Sequence, residues 1–357
     1  MNFLFFSGRI IYGGGEKVHA WLVKALFAAG HSITYMTPEG TSDIGDKLQL
    51  VGLRDMVSVV YYARQYKKKN ILKYIKSLND VFTKNKIDFF VIFGGSLIEQ
   101  MVARKHGVKV VLSERCDPHS RSIPSQILKQ IQYRNADGYV FQTPDAAKCY
   151  GKRASKLGAV IPNPIIDKLP DPQLDSLRKE IVSVGRLSDE KNQQLLIDAF
   201  ESFHIVHPEY KLLIYGSGPL ERKLQASIQA KCLTDKVEII KGKRNIPELI
   251  NGAALFVLSS NTEGMPNALI EAMSMGLMSI STDCPIYGPR MLIEHGVNGY
   301  LVPINDREAL YEQMCYAIEH EDQARDIRNN ALLIRDRLSS QVIAEKWIQY
   351  FERIIKS

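Results

Sequence analysis

The sequence predicts an α/β protein made of two doubly wound, Rossmann-like domains facing a cleft, and three observations carry that prediction. Short apolar runs alternate with amphipathic stretches along the chain, a proline-rich segment interrupts them near the middle, and the charge balance changes sign there. Strands alternating with helices imply a parallel sheet covered on both faces. At 357 residues the chain is long enough for about two ordinary domains, each burying its own core.

Taken in order, NFLFFS reads as a first buried strand, GGGEKVHAWLVKALFAAG as a helix closed by Gly30, and SITYMT as the next strand. DFFVIF, KVVLSE and GYVFQT follow as further buried strands. Between them, KKKNILKYIKSLNDVF places Ile71, Ile75, Leu78 and Phe82 on one helical face, with Lys67, Lys68, Lys69, Lys73 and Lys76 largely elsewhere on its surface. IPNPI, Ile161 to Ile165, is the expected hinge and closes a first domain of residues 1–165. A second domain, 166–337, repeats the pattern with EIVSVG, YKLLIYG, VEIIKG, LFVLSS and LMSIST as strands. In the last segment, 338–357, Ile343, Trp347, Tyr350 and Ile354 have helical spacing and predict a terminal helix packing across the domains.

Composition excludes several classes. No apolar stretch approaches the roughly 18 residues that a membrane span requires, and MNFLFFSGRI lacks the basic start of a secretory signal. The expectation is a cytoplasmic protein, soluble or peripheral on the inner face of the plasma membrane. Five widely spaced cysteines, Cys116, Cys149, Cys232, Cys284 and Cys315, form no C-x-x-C pair and have no histidine at a zinc-ligand interval, so no metal is predicted. Residues 1–165 carry 24 Lys+Arg against 12 Asp+Glu, a balance of +12, whereas the remainder carries 46−24 = 22 against 39−12 = 27, a balance of −5. The basic first half suits an anionic partner: nucleic acid, lipid or a phosphorylated substrate.

Several stretches can carry chemistry, each at the end of a predicted strand. Gly13, Gly14 and Gly15 open a helix whose terminal amides suit an anion, although the spacing is neither G-x-G-x-x-G nor a P-loop. In IVSVGRLSDEKN, Arg186 and Lys191 can reach above the sheet, and paired cations there suit a diphosphate. The turn Gly216 to Gly218 can approach a nucleotide, and the loop bearing Lys241, Lys243 and Arg244 can meet a base. The strongest stretch is VLSSNTEGMPNALIEAMSMG. Glu263 lies on the strand's exit loop, Glu271 about one turn into the next helix, and Gly264, Met265, Pro266 and Asn267 form the turn between them at the helix's electropositive end. A diphosphate bound there, with a carboxylate on either side to accept sugar hydroxyls, describes a nucleotide sugar.

At these residues the chain resembles the family-four retaining glycosyltransferases, which have the two-domain GT-B fold. The matching elements are Gly-Gly-Gly-Glu near the start, SVGRLSDEKN, LLIYGSGP, EGMPNALIE and STDCPIYGPRMLIEHGVNGYLVP, in the family's order. The resemblance implies that Arg186 and Lys191 hold the donor diphosphate, Glu271 the ribose and Glu263 the transferred sugar. It implies that Gly264, Met265 and Pro266 wall the sugar and that Gly14 and Gly15 close over the phosphates; the turn, the basic loop and the helix start read above add Gly216, Arg244 and Asn267 to the expected donor contacts. In SERCDPH it leaves Arg115, or His119 beyond it, as the assisting group of the first domain.

The expected activity is retaining, metal-independent transfer of a hexose or N-acetylhexosamine from a nucleotide sugar, UDP-linked, with no cofactor. The acceptor expected is lipid-linked or an oligosaccharide of surface polysaccharide such as capsule or lipopolysaccharide, with Lys67 to Lys76 on anionic headgroups. Two alternatives stay open: a nucleotide-sugar epimerase on the same fold, and a basic nucleic-acid-binding protein with Tyr61, Tyr62, Tyr66 and Tyr74 interleaved among its cations. The first reading expects no nucleic acid.

Overall fold

The structure, a computed structural model, describes residues 1–6, 14–41, 44–93, 97–115, 123–166 and 168–356. The chain divides into two compact units, residues 1–166 with 340–357, and residues 167–339.

The first unit is built on a seven-stranded sheet of β1 (Asn2–Phe6), β2 (Ser32–Pro38), β3 (Ser58–Tyr62), β4 (Phe89–Ile92), β5 (Lys109–Ser113), β6 (Gly138–Phe141) and β7 (Gly158–Val160). Their spatial order is β3-β2-β1-β4-β5-β6-β7, and every neighbouring pair is parallel. Burial explains the continuous apolar runs: all four residues of β4 and of β6 are buried, as a sheet covered on both faces requires. The edge strand β3 and the three-residue β7 were not expected from the sequence, because neither presents a continuous buried run.

The amphipathic lysine-rich stretch forms the helix Ile71–Lys84, started by Asn70, whose side chain accepts from the Lys73 amide at 3.1 Å. Two expectations change here. Lys67 is not a free surface cation: its Nζ lies 3.0 Å from Oε1 of buried Glu99, which also accepts from the Tyr74 hydroxyl. Tyr62 and Tyr74 are fully buried against one another, ring centroids 6.0 Å apart, so they offer no face for stacking bases.

The terminal helix Ser340–Lys356 belongs to the first unit. Phe351 meets Phe3 at 4.8 Å and Phe89 at 5.0 Å between ring centroids. Tyr350 accepts from the Tyr139 amide at 2.6 Å and donates to the Leu157 carbonyl at 2.9 Å. Gly138 is needed beside it, since a Cβ there would stand 2.5 Å from Ile354 Cδ1 and 2.9 Å from the Tyr350 hydroxyl oxygen.

The second unit carries β8 (Arg178–Val184), β9 (Lys211–Tyr215), β10 (Val237–Ile240), β11 (Ala253–Leu258), β12 (Ser279–Thr282) and β13 (Tyr300–Val302). Their order is β10-β9-β8-β11-β12-β13, again parallel throughout. The central β11 is buried along its whole length. The helix Gln193–Val206 seats Leu196, Phe200 and Phe203 in the core beneath it.

Tyr350→Phe leaves the Tyr139 amide and the Leu157 carbonyl without the hydroxyl that joins them. Urea denaturation is expected to show a loss of about 1–3 kcal/mol.

Candidate active site

In a doubly wound sheet the crevice opens outside the carboxyl ends of the two strands where the winding reverses. In the second unit those strands are β8 and β11. The loops leaving them, 185–192 and 259–266, are laced together. Ser259 Oγ donates to the Lys191 and Asn192 carbonyls at 3.1 and 3.0 Å, the Asn261 amide to Glu190 O at 2.8 Å, and Asn261 Nδ2 to Asp189 O at 3.0 Å. Asn192 takes a left-handed φ of 45°, which asparagine tolerates, and its amide nitrogen bridges Asn261 Oδ1 at 3.0 Å and Asn305 Oδ1 at 2.9 Å.

This lacing carries Lys191 Nζ to 2.5 Å from Glu263 Oε1, and Ser260 Oγ donates to the same oxygen at 2.7 Å. Glu263 is 8% exposed and the Lys191 side chain 24%, so the pair is shielded but open on the lysine side. Cys284 is fully buried; burial first, then the Glu263 charge, pushes its thiol up to about 12. Arg186 stands exposed, with no salt bridge among the described residues, while its carbonyl accepts from Gln193 Nε2 at 2.9 Å.

The helix Asn267–Ser274 starts from Pro266, whose φ and ψ of −77° and 109° end the extended loop and whose ring makes no cap hydrogen bond. Its electropositive end therefore faces the Gly264–Asn267 turn. Met265 and Pro266 are buried, Leu269, Ile270 and Met273 anchor the helix, and Glu271 is half-buried in its second turn. The Gly264 carbonyl is covered by Gly288, where a Cβ would sit 1.6 Å from that oxygen. The loop reaches this contact through two consecutive left-handed residues, Ile286 at φ 56° and Tyr287 at φ 57°. Each costs on the order of 1–3 kcal/mol. Neither Gly288 nor this strained pair was singled out from the sequence, although Tyr-Gly-Pro marks a turn.

The other expected residues take no part in the Lys191–Glu263 pair. At Gly216 and Gly218 the close approach is to backbone: a Cβ would lie 1.9 Å from Gly185 O at the first and 2.2 Å from Leu187 O at the second. The turn is thus accounted for by packing against the β8 exit loop, which the Leu187 amide joins by donating to Ser217 O at 3.0 Å. Lys241 pairs with Glu221 at 2.7 Å, whereas Arg244 is exposed. Gly14 and Gly15 begin the helix Gly14–Ala28; Gly13, Cys116 and His119 lie outside the described residues.

Arg115, in the first unit, is held rather than free. Its Nε donates to Ser113 Oγ and one Nη to Asn163 Oδ1, both at 2.8 Å, and the guanidinium lies 5.3 Å from the Phe93 ring and 5.5 Å from that of Trp347. Burial lowers its pKa to about 10, partly opposed by Glu114, so it stays charged at neutral pH. His19, packed among Phe5, Tyr35 and Phe93, is lowered to about 4 by desolvation and then by Arg115, which keeps it neutral.

A cavity of about 940 Å³ in the second unit is lined in part by Asp283, Tyr287, Arg290, His295 and Arg337. Arg290 pairs with Asp283 and covers the Tyr287 ring at 4.7 Å. Lys191, Glu263 and Glu271 do not line it. The paired charge and the helix terminus lie at the switch point instead.

Two parallel, doubly wound units are the architecture of the GT-B glycosyltransferases, and the comparisons agree. Over 98% or more of the chain, solved GT-B structures superpose on it; Anabaena HepE in complex with UDP and glucose does so with a TM-score of 0.81 and 18% identity, covering 99% of this chain and 100% of that one. Residues 167–333 match the family "Glycosyl transferases group 1", so the second unit is a glycosyltransferase domain of that kind. An uncharacterized glycosyltransferase of Haemophilus influenzae is 23% identical, covering 94% of this chain and 95% of that protein. An α-1,4-N-acetyl-D-galactosaminyltransferase of Campylobacter jejuni, acting on a diNAcBac-PP-undecaprenol-linked glycan, is also 23% identical, covering 99% of each. In other relatives, at 32% and 33% identity, the chain spans less than half of the relative's length.

Gly288→Ala drives a methyl group into the Gly264 carbonyl, and backbone cannot yield as a flexible side chain would. A loss of about 1–3 kcal/mol in chemical denaturation is the expected outcome.

Proposed function

We propose that the protein is a retaining, metal-independent hexosyltransferase that moves a hexose or N-acetylhexosamine from a UDP-sugar to a lipid-linked or oligosaccharide acceptor in surface polysaccharide assembly. One observation carries the reading: the Lys191–Glu263 pair and the start of the Asn267–Ser274 helix lie on the loops where β8 and β11 part. The names of relatives support the acceptor class, since they include a glycosyltransferase of amylovoran biosynthesis and the polyprenol-linked enzyme above.

In this reading the diphosphate lies on the helix terminus, with Arg186 and Lys191 neutralising it. An ammonium has three donors, so Lys191 can keep Glu263 while it binds phosphate. As the bond to the sugar breaks, negative charge grows on the departing nucleoside diphosphate, and the two cations and the helix end stabilise it in place. The acceptor attacks from the same face, and its proton passes to a phosphate oxygen. Glu263 faces the sugar, Glu271 takes the ribose hydroxyls, and Arg115 is the first unit's assisting group. Gly14, Gly15, Gly216, Arg244, Gly264, Met265, Pro266 and Asn267 complete the donor contacts.

Lys191→Ala and Glu271→Ala are each expected to cut turnover, the former by about 10²–10³-fold, with an unchanged circular dichroism spectrum; near-normal rates in either would refute that assignment. A thermal-shift panel of UDP-, GDP- and ADP-sugars should raise the melting temperature with the UDP compounds. Epimerised UDP-sugar formed without any acceptor would favour the epimerase instead.

The proposal includes peripheral attachment to the inner face of the plasma membrane. Among the described residues no helix is long and apolar enough to cross a membrane. Lys68, Lys69, Lys73 and Lys76 are exposed around Ile71 and Leu72, which are 43% and 76% exposed. Each lysine contributes about 1 kcal/mol near an anionic surface. The protein should float with phosphatidylserine vesicles at low salt, and replacing these four lysines by glutamine should abolish flotation.

A further inference from the structure

No zinc-type spacing exists in the sequence, yet folding gathers three metal-ligating side chains of the second unit. His207 ends the Gln193–Val206 helix, while Cys315 and Glu319 stand one turn apart on the Arg307–Glu319 helix, which packs against it. One ligand atom from each of the three lies within 4.8 Å of the others, and His207 Nε2 is 3.2 Å from Glu319 Oε1 across 112 sequence positions. We propose that His207, Cys315 and Glu319 form a site for a divalent transition-metal ion of the zinc class, clipping these two helices together.

The donor set argues for zinc. Imidazole, thiolate and carboxylate are its usual ligands, and three protein groups with a water in the fourth position give tetrahedral coordination. Tetrahedral bond lengths put neighbouring ligand atoms about 3.4–3.6 Å apart. The His207–Glu319 distance is already close to this, and the Cys315 sulfur lies within 4.8 Å of both. The imidazole is oriented by its surroundings: its ring centroid lies 4.7 Å from that of Phe203 and 6.0 Å from that of Tyr210. Cys315 is half-buried and hydrogen-bonded to Tyr311, and Glu319 is half exposed, so an ion has a path from solvent. On binding, the sulfur–hydrogen bond breaks, a sulfur–metal bond forms, and the proton leaves to solvent.

A surface His–Glu contact alone accounts for only two members of the trio. The clip would brace the helix at the end opposite Lys191, which precedes its first residue. A helix of fourteen residues spans about 21 Å, so the ion stabilises the unit without reaching the candidate active site.

The test uses the full-length protein stripped of metal and titrated with Co²⁺ as a spectroscopic probe, then with Zn²⁺ in a calorimeter. One equivalent of Co²⁺ should produce a near-ultraviolet thiolate-to-metal band that Cys315→Ser abolishes, and Zn²⁺ should raise the melting temperature of the parent protein. Loss of outer-shell partners alone costs 10–100-fold in affinity, so His207→Asn and Glu319→Gln should each weaken Zn²⁺ by at least about tenfold. Glu319 is exposed, so its variant remains informative even if Cys315→Ser fails to fold. A thiolate band surviving Cys315→Ser, or Zn²⁺ affinity unaltered by both other substitutions, overturns the proposal. UDP-sugar binding should be the same in all these variants, so the outcome is independent of the transferase reading.

Discussion

Lys191 and Glu263 meet because β8 and β11 are neighbours in space although the two residues are 72 positions apart in sequence. Parallel strands can be joined only by long crossovers, so the sheet must bring distant loops together at its carboxyl edge. The rest of the site follows from that constraint. The Ser259 and Asn261 bonds to the lysine loop set where the ammonium can stand, and Ser260 fixes which carboxylate oxygen receives it. A pair this shielded adds little net stability, because desolvation offsets attraction, yet it is costly to break on one side. Its value lies in holding two charged groups at a fixed separation beside a helix terminus.

Much of the architecture was legible because parallel strands covered on both faces are continuous apolar runs. LFVLSS and DFFVIF could hardly be anything else, and both are central strands. The strands that went unread, β3, β7 and β13, are edge or three-residue elements whose partners, rather than their own pattern, determine them. The terminal helix was visible in the spacing of Trp347, Tyr350 and Ile354, but its place in the first unit depends on Phe3, Phe89 and Gly138.

At the site, residue types and order were readable and pairings were not. The sequence shows Lys191 and Glu263 as separate candidates; only the folded loops make them a pair. Gly216 shows a second constraint that its sequence does not reveal, since the Gly185 carbonyl leaves no room for a Cβ there. Likewise Tyr62 and Tyr74 resemble stacking platforms in a basic stretch, but Tyr62 on β3 and Tyr74 on the helix Ile71–Lys84 both turn into the core. The His207, Cys315 and Glu319 cluster escaped for a related reason: spacing rules find ligands carried on one local motif, and these sit on two helices far apart in the chain.

The buried sulfur of Cys284 has a chemical consequence. With burial and the Glu263 charge pushing its thiol well above the usual range, Cys284 holds almost no thiolate at pH 7. Oxidants and alkylating agents act on the thiolate, so they find almost none there, whereas Cys232 lies open on the surface. A cysteine buried within the influence of a charged centre thus tolerates peroxide that would disable a reactive one, and a maleimide dye would decorate the second unit without touching it.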